Sequence, residues 1–380
     1  MYYNDFKGIK LSALGFGAMR LPVIDGNDAA VNEEDTEEMV DYAIKNGINY
    51  FDTAYGYHGG NSERVMGRLL GKYPRDSYYL ATKFPGYDVS NMGSVKEIFE
   101  EQIGKCGVDY FDFYLFHNVY ENNLDPYLDE KNGILEYLTA QKKAGRIRHL
   151  GFSAHGNCEV IRKFLEANGS EMEFCQIQLN YVDWEFQDAK DKVKLLTEYG
   201  LPIWVMEPLR GGRLANLTEA EAAELRTLRP DEEAKAWAFR FIESVPGVTM
   251  TLSGASSLNQ LKENIATFEE NKPLNEEEKK VILGIAGGML NEKTLPCTAC
   301  HYCTSHCPQN LDIPELLALY NEHNFTGGGF IAPMALGGMP PEKQPSQCIG
   351  CRSCEEVCPQ QLKISEAMAD FTEQLKHNAW

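Results

Sequence analysis

The chain has 380 residues, and its 56 acidic and 36 basic side chains give a formal net charge of −20. This balance argues against a surface for nucleic acid or anionic membrane, because the basic residues do not cluster into a patch. The length suits one large domain plus a small one. A mixed-polarity N-terminus without a long apolar stretch predicts a soluble, cytoplasmic protein.

Eight short runs that are apolar or β-branched predict strands. They cover residues 14–18, 49–54, 78–84, 111–117, 147–153, 174–180, 202–207 and 248–254. Longer amphipathic segments lie between them and predict helices. The predicted helices are 33–47, 62–70, 94–106, 134–144, 158–167, 189–199, 231–244 and 257–268, followed by 275–290.

Eight strand–helix units in about 260 residues favour an α/β fold of the (β/α)8 TIM-barrel type over an open sheet. Active sites of such barrels lie where the strands end and the loops begin, on the carboxyl-terminal face. The stretch FDTAYGYHGGNSE at 51–63 has Asp52 at the end of the second predicted strand and Tyr57 in the loop that follows. The position of this stretch is therefore the one expected for active-site residues.

The composition changes near residue 290, because eight of the eleven cysteines lie between Cys297 and Cys358. We therefore expect a barrel over residues 1–290 and a small, α-helical domain of ferredoxin type over 291–380. The segment 324–345 is rich in Gly and Pro and predicts an ordered loop rather than a helix or strand.

Residues 297–308 and 348–359 share the pattern C-x2-C-x2-C-x3-C-P. This spacing is typical of two 4Fe-4S clusters, in which the cysteine before proline binds the other motif's cluster. The pairing places Cys297, Cys300, Cys303 and Cys358 on one cluster, and Cys348, Cys351, Cys354 and Cys307 on the other. The alternatives are a zinc site, disulfides, or clusters with a purely structural role.

Three stretches resemble the aldo-keto reductases: FDTAYGYHGGNSE at 51–63, ATKF at 81–84 and YLFHN at 114–118. The resemblance covers about residues 8–270 and implies an Asp, Tyr, Lys, His catalytic tetrad. On the matching positions the tetrad is Asp52, Tyr57, Lys83 and His117.

The chemistry of carbonyl reduction suits these residue types. A phenol such as Tyr57 donates a proton to the oxygen only if its pKa of about 10 is lowered, and an ammonium beside it does so. Asp52 would hold and compensate Lys83, and His117 would hydrogen-bond the substrate oxygen. Each residue taken alone also has an ordinary structural interpretation as a cap, packing residue or surface lysine.

The resemblance further implies a nicotinamide cofactor. Ser153 and Gln176 match family contacts to the nicotinamide, Met206 stands where many members have a stacking aromatic ring, and Ala154 replaces an amide. Glu263 and Asn264 match the stretch that binds the adenosine end. The positions whose basic residues would bind a 2′-phosphate are Gly254 and Gln260, which favours NADH over NADPH.

Anion binding is expected in the seventh loop and at the start of the following helix, the habitual phosphate site of barrels. The expected contacts are Arg210, Gly211, Gly212 and Arg213, with Ser257 near the helix start. A Gly-rich loop with solvated arginines is the alternative.

The whole chain resembles the subgroup of aldo-keto reductases with a C-terminal two-cluster segment. We expect an oxidoreductase that reduces a carbonyl or oxidises an alcohol, with a small-molecule substrate and a ferredoxin or other redox partner. Because nicotinamides exchange hydride and clusters exchange single electrons, FMN is kept as a third cofactor candidate. The alternative is an electron-transfer or redox-sensing protein whose barrel binds a nucleotide without carbonyl turnover.

Overall fold

The structure, a computed structural model, describes residues 1–291, 294–295, 297, 303–358 and 360–377. Two compact units make up the chain, residues 1–282 and residues 283–380. All eight predicted strands are present in the first unit and form one closed barrel of parallel strands. The predicted (β/α)8 fold is therefore confirmed.

A short hairpin precedes the barrel. Its strands are β1 (Tyr3–Phe6) and β2 (Ile9–Ser12), and the barrel strands are β3 (Leu14–Gly17), β4 (Tyr50–Asp52), β5 (Tyr79–Phe84), β6 (Phe111–Val119), β7 (Ile147–Ala154), β8 (Cys175–Gln178), β9 (Ile203–Met206) and β10 (Val248–Gly254). Closure is between β10 and β3, and β9 is the other neighbour of β10.

The hairpin is not predictable from the sequence, because its two strands have only four residues each and mixed polarity. Tertiary packing stabilises it. Phe6 is 2% exposed and lies edge-on to Trp204 with 5.0 Å between the ring centroids. The hairpin thus packs at the amino-terminal end of the barrel, away from the strand ends that carry the site.

Helices lie between the barrel strands along the chain, and two more follow the last strand. They are α1 (Glu33–Lys45), α2 (Ser62–Leu70), α3 (Val95–Cys106), α4 (Leu124–Leu128), α5 (Ile134–Lys143), α6 (Cys158–Asn168), α7 (Asp183–Phe186), α8 (Ala189–Glu198), α9 (Glu219–Leu228), α10 (Ala234–Glu243), α11 (Leu258–Thr267) and α12 (Glu276–Asn291). The nine predicted helices all coincide with members of this set. The sequence analysis missed α9, which begins with a capping box between Thr218 and Glu221.

The second unit is helical in its described part. Its helices are α13 (Ile313–Thr326), α14 (Ile331–Gly337), α15 (Ser353–Glu356) and α16 (Ile364–His377). They enclose an apolar core that includes Leu316, Met368 and Phe371, each at most 1% exposed.

The prediction that 324–345 is a loop was wrong in its middle, where α14 lies. Ala332 and Leu336 are one helical turn apart and are 0% and 4% exposed in the core of the second unit. Their burial outweighs the weak helix propensity of the flanking Gly and Pro residues.

No helix in the described part of the chain combines the length and apolar character needed to cross a membrane.

Candidate active site

The four residues of the predicted tetrad lie at the carboxyl ends of three adjacent strands. Asp52 ends β4, Lys83 is the last but one residue of β5, and His117 is near the end of β6. Tyr57 follows β4 and begins the short 3-10 turn Tyr57–Gly60. Strand adjacency thus brings together residues that are up to 65 positions apart in the chain.

Lys83 is at the centre of the group. Its ammonium donates to Asp52 Oδ1 at 2.5 Å, to the carbonyl oxygen of Thr53 at 2.9 Å and to the Tyr57 hydroxyl at 3.5 Å. Burial disfavours the ammonium, but the Asp52 carboxylate and Tyr57 outweigh burial, so the pKa of Lys83 is raised. Lys83 therefore keeps its positive charge although its side chain is 0% exposed.

Tyr57 and His117 are less buried than the ion pair behind them. Their rings meet edge to face, with 5.9 Å between centroids and 80° between planes. The ring of Tyr87 also meets that of His117 edge to face, with 5.1 Å between centroids. A phenol hydroxyl and an imidazole thus border the same partly open space at the rim.

The pKa values of these two rings follow from burial. Burial raises the pKa of Tyr57, and the opposing effect of Lys83 is smaller, so the expected net lowering of this pKa is not found. Burial, with a further contribution from Lys83, holds the pKa of His117 well below its ordinary value of 6.5. His117 is therefore neutral at pH 7, a state that suits a hydrogen-bonding group better than an acid.

The turn that carries Tyr57 is held by the next residue, His58, which the sequence analysis missed. His58 is 3% exposed and has a φ of 54°. Its Nε2 accepts from the backbone N–H of Leu21 at 3.1 Å, which leaves Nδ1 to donate to the carbonyl oxygen of Asp28 at 2.8 Å. The loop after β3 is thereby bonded to the turn of Tyr57.

A buried polar network lies behind Lys83. The amide of Gln102 donates to the Lys83 carbonyl oxygen at 3.0 Å and to Glu63 Oε1 at 2.7 Å. Thr82 also donates to Glu63, at 2.6 Å, and Tyr114 donates to Gln102 at 2.6 Å. These bonds fix the end of β5, and burial raises the pKa of Glu63.

The predicted nicotinamide contacts Ser153, Gln176 and Met206 lie on β7, β8 and β9, on the side of the rim opposite β4 and β5. Ser153 Oγ accepts from the backbone N–H of Asn118 at 2.8 Å. Gln176 Nε2 is 3.6 Å from Met206 Sδ, while Gln176 Oε1 is buried and has no hydrogen-bond partner among the described residues. An acceptor in that state suits the amide N–H of a nicotinamide.

The predicted anion contacts of the seventh loop follow β9, and several of them already bind other groups of the protein. Arg210 is 6% exposed, and its Nε donates to both carboxylate oxygens of Asp183 at 3.0 and 3.1 Å. Arg213 begins a short 3-10 turn, and burial lowers its pKa. The backbone N–H of Gly211 donates to Glu207 Oε2 at 2.7 Å. The anion-binding role of these residues stays a prediction, and Arg210 is engaged by a buried carboxylate.

The predicted adenosine-end contacts lie on α11. Ser257 caps the helix by accepting from the backbone N–H of Gln260 at 3.3 Å. Asn264 is buried and donates to Ser253 Oγ at 3.1 Å. Glu263 is 2.6 Å from the ammonium of Lys235, and this pairing lowers the pKa of its carboxyl group.

In the second unit, a small cavity that is partly open to solvent is bordered by four cysteines. They are Cys307, Cys348, Cys351 and Cys354, the set predicted to share one cluster. Apolar side chains that include Leu311, Ile313 and Met368 complete the lining. Cys303 is 7% exposed in the adjoining core, against which Cys297 and Cys358 pack, whereas Cys300 lies outside the described residues.

The cavity suits an iron–sulfur cluster better than a single zinc ion or disulfides, and whether the clusters are structural or transfer electrons stays untested. None of the ten cysteines in the described segments is in a disulfide. Within those segments, no three His, Cys, Asp or Glu side chains are arranged around a single metal ion. Four sulfurs spread around an apolar cavity suit a cluster that fills the space, because its iron atoms bring separate binding positions for each thiolate.

Comparison with protein families supports the assignment of both parts of the chain. Residues 13–285 match the aldo/keto reductase family, and residues 296–364 match a 4Fe-4S dicluster domain. The chain therefore belongs to the aldo/keto reductase family and carries a C-terminal 4Fe-4S dicluster domain of ferredoxin type. It is an oxidoreductase, as is typical of this NAD(P)H-dependent family.

Among individual relatives, L-galactose dehydrogenase of Arabidopsis thaliana is 26% identical over 296 residues, covering 72% of this chain and 89% of that protein. NADH-specific methylglyoxal reductase of Escherichia coli (strain K12) is 24% identical over 309 residues, covering 69% and 91%. The holo form of aldo-keto reductase AKR11C1 from Bacillus halodurans superposes with a TM-score of 0.61 at 27% identity, covering 75% of this chain and 96% of that one.

Proposed function

We propose that the barrel catalyses the reduction of a carbonyl compound, or the reverse oxidation of an alcohol, with Tyr57 as the general acid or base. One observation supports this above the others. The Lys83 ammonium lies between the Asp52 carboxylate and the Tyr57 hydroxyl, at 2.5 and 3.5 Å. An ammonium so placed stabilises the phenolate that forms when Tyr57 gives its proton to the substrate oxygen.

The electrostatic attraction between the Lys83 ammonium and a Tyr57 phenolate is strong enough for this role. Two unit charges about 4 Å apart interact by about 4 kcal/mol at an effective dielectric constant of about 20, which corresponds to about three pKa units. Asp52 compensates Lys83 when Tyr57 is neutral, so the site tolerates a buried ammonium in both protonation states of the phenol. Thr53, through its carbonyl oxygen, fixes the ammonium between its two partners.

His117 is proposed to orient the substrate. Because it is neutral at pH 7, its N–H donates a hydrogen bond to the carbonyl oxygen without competing with Tyr57 for the proton. The T-shaped contact with Tyr57 keeps the two groups at a fixed angle. Together they bind one oxygen from two directions, which positions the carbonyl carbon for reduction.

The proposed cofactor is NADH. When bound, the nicotinamide supplies the hydride and Tyr57 supplies the proton, so one carbonyl becomes one alcohol. Gln176 would accept from the carboxamide N–H, and Ser153 and Met206 would border the ring. NADPH and FMN are the competing cofactors, and FMN would account for coupling to single-electron carriers.

In the second unit we propose two 4Fe-4S clusters that transfer electrons to or from a redox partner such as a ferredoxin. The cavity bordered by Cys307, Cys348, Cys351 and Cys354 supports the predicted crossed pairing of the two motifs. The other cluster would use Cys297, Cys303 and Cys358 together with Cys300.

The test uses anaerobically purified protein with its iron intact. NADH oxidation is followed with small carbonyl substrates, beginning with methylglyoxal because the Escherichia coli relative is named for it. Replacing Tyr57 by Phe should abolish most turnover while NADH binding, measured by fluorescence, stays within about twofold. Tyr199→Phe, at an exposed position on the barrel exterior, serves as the control.

Unchanged turnover in Tyr57→Phe would refute the assigned role. If no carbonyl consumes NADH but NADH changes the redox state of the clusters, the electron-transfer or redox-sensing alternative holds. Release of flavin on denaturation would identify FMN, and its absence would reject FMN.

A further inference from the structure

The loop after β10 is the eighth loop of the barrel. At the end of β10, where a basic residue would bind a cofactor phosphate, this chain has Gly254. In the structure another residue fills the space. A Cβ built on Gly254 would lie 3.3 Å from Cβ and 3.6 Å from Cδ of Arg20. The side chain of Arg20 therefore runs directly over Gly254, where a larger residue would compete with it.

Arg20 reaches this point from the loop after β3, the strand next to β10. The Ser256 hydroxyl donates to the Arg20 carbonyl oxygen at 2.9 Å and so joins the first loop to the eighth. Arg20 Nη2 donates to Glu207 Oε1 at 2.9 Å, on the far side of β10. A Cβ built on Gly211 would be 3.6 Å from the same Nη2.

The guanidinium thus lies between the loops that follow β9 and β10, the part of a barrel rim that habitually binds phosphate. The arginines predicted for that role are less available, since Arg210 is engaged by Asp183 and Arg213 is partly withdrawn from solvent. Arg20, in contrast, keeps 42% of its side chain exposed. On a chain of net charge −20, a phosphate needs such a local cation.

Glu207 has the features of a displaceable partner. Its carboxylate accepts from Arg20 through Oε1 and from the backbone N–H of Gly211 through Oε2. Its own φ of 54° is strained for a residue with a side chain. An ion pair that is open to solvent on the Arg20 side contributes little to stability, so a phosphate with more charge and more acceptors can replace the carboxylate.

We propose that Arg20 is the cation that binds a phosphate of the dinucleotide, and that Glu207 holds Arg20 until the phosphate displaces it. This inference rests on the proposed function, namely that the barrel binds a nicotinamide dinucleotide. The shared chemistry is a phosphate ester, which is either the pyrophosphate or a 2′-phosphate. The guanidinium supplies two parallel N–H donors to it, which neither Gly254 nor Gln260 supplies.

The experiment measures dissociation constants of NADH, NADPH, ADP and 2′-AMP by calorimetry, with the anaerobic, iron-replete full chain. Arg20→Met keeps the apolar stem and removes the charge, and we expect binding to weaken about tenfold or more. Arg162→Met, at an exposed position on α6, changes the net charge equally and should leave each dissociation constant within about twofold. The ADP and 2′-AMP arms identify which phosphate Arg20 contacts.

Glu207→Gln keeps an acceptor for the Gly211 N–H but releases Arg20, so binding should tighten about threefold to tenfold. In the double variant with Arg20→Met, this gain should disappear, because Glu207 acts through Arg20. A gain that persists in the double variant would show a general charge effect and overturn the displacement.

The outcomes separate this inference from the proposed function. Wild-type binding of a dinucleotide with no loss in Arg20→Met would overturn the role of Arg20 and leave carbonyl reduction intact. Failure of wild type to bind any of the four ligands would overturn the dinucleotide site and this inference with it. The absorbance of the clusters and the thermal unfolding temperature check that each variant is folded.

Discussion

The carboxylate of Asp52 and the ammonium of Lys83 form an ion pair with 2.5 Å between Oδ1 and Nζ, and their side chains are 4% and 0% exposed. Such a pair is costly to break, since removing one partner leaves the other charge buried. The same ammonium also donates to the backbone carbonyl oxygen of Thr53 at 2.9 Å.

We therefore expect Lys83→Met and Asp52→Asn each to lower the free energy of unfolding, by about 3–5 kcal/mol for Lys83→Met, which leaves the carboxylate alone. The double variant should recover part of the stability lost in Lys83→Met, because no uncompensated charge remains. All three variants should lose carbonyl turnover. Urea unfolding followed by circular dichroism measures the first effect, and a double variant less stable than both single variants would contradict it.

The pH dependence of carbonyl reduction should be flat over the neutral range. Tyr57 must be protonated to act as the acid, and burial raises its pKa above 10, so kcat/KM falls only as the pH rises through that raised value. His117 has its pKa well below 6.5 and stays neutral from mildly acidic pH upward. A plateau from about pH 6 to about pH 9 is expected, and a fall in kcat/KM centred near pH 7 would contradict this assignment.

The unmatched acceptor of Gln176 makes a separate prediction about the nicotinamide half of the cofactor. Gln176→Leu removes Oε1, and we expect the dissociation constant of NADH to rise about fivefold to tenfold, the effect of one buried hydrogen bond. ADP, which lacks the nicotinamide, should bind as it does to wild type. Equal weakening of ADP and NADH would indicate general damage to the site.

Iron content tests the crossed pairing of the cysteine motifs. The wild type should hold about eight iron atoms, and Cys351→Ser should hold about four. Adding Cys307→Ser to that variant should cost no further iron, because both residues belong to the same cluster. Adding Cys358→Ser instead should remove the rest.

Cys158, a free thiol outside the motifs, serves as the control, and Cys158→Ser should retain all the iron. Uncrossed motifs would reverse the two double variants. Zinc in place of iron in the purified protein would reject the clusters altogether.

Much of this architecture could be predicted from the sequence, because its strands and helices follow from local patterns of residues. The eight strands follow from short apolar runs, and the fold follows from their alternation with amphipathic helices. The exceptions are elements stabilised by distant contacts. The hairpin of β1 and β2 packs on Trp204 through Phe6, and α14 depends on the burial of Ala332 and Leu336.

For the site, the resemblance of three stretches to the aldo-keto reductases pointed to Asp52, Tyr57, Lys83 and His117, and the order of strands made their convergence predictable. The roles of charged side chains at the rim were not predictable in the same way. Arg210 looked like an open cation but pairs with the buried Asp183, whereas Arg20 lies over Gly254. The net pKa of Tyr57 also depended on burial, which no local pattern of residues reports.

The sequence by itself determined a parallel barrel and a pair of cysteine motifs, because periodicity and spacing are properties of neighbours along the chain. Its resemblance to the aldo-keto reductases added four candidate catalytic residues. Only the tertiary structure decided which arginine stands at the eighth strand, which carboxylate holds it and how far the phenol is withdrawn from water. Those outcomes depend on distances between separate loops and on the exclusion of solvent, and both arise only when the barrel closes.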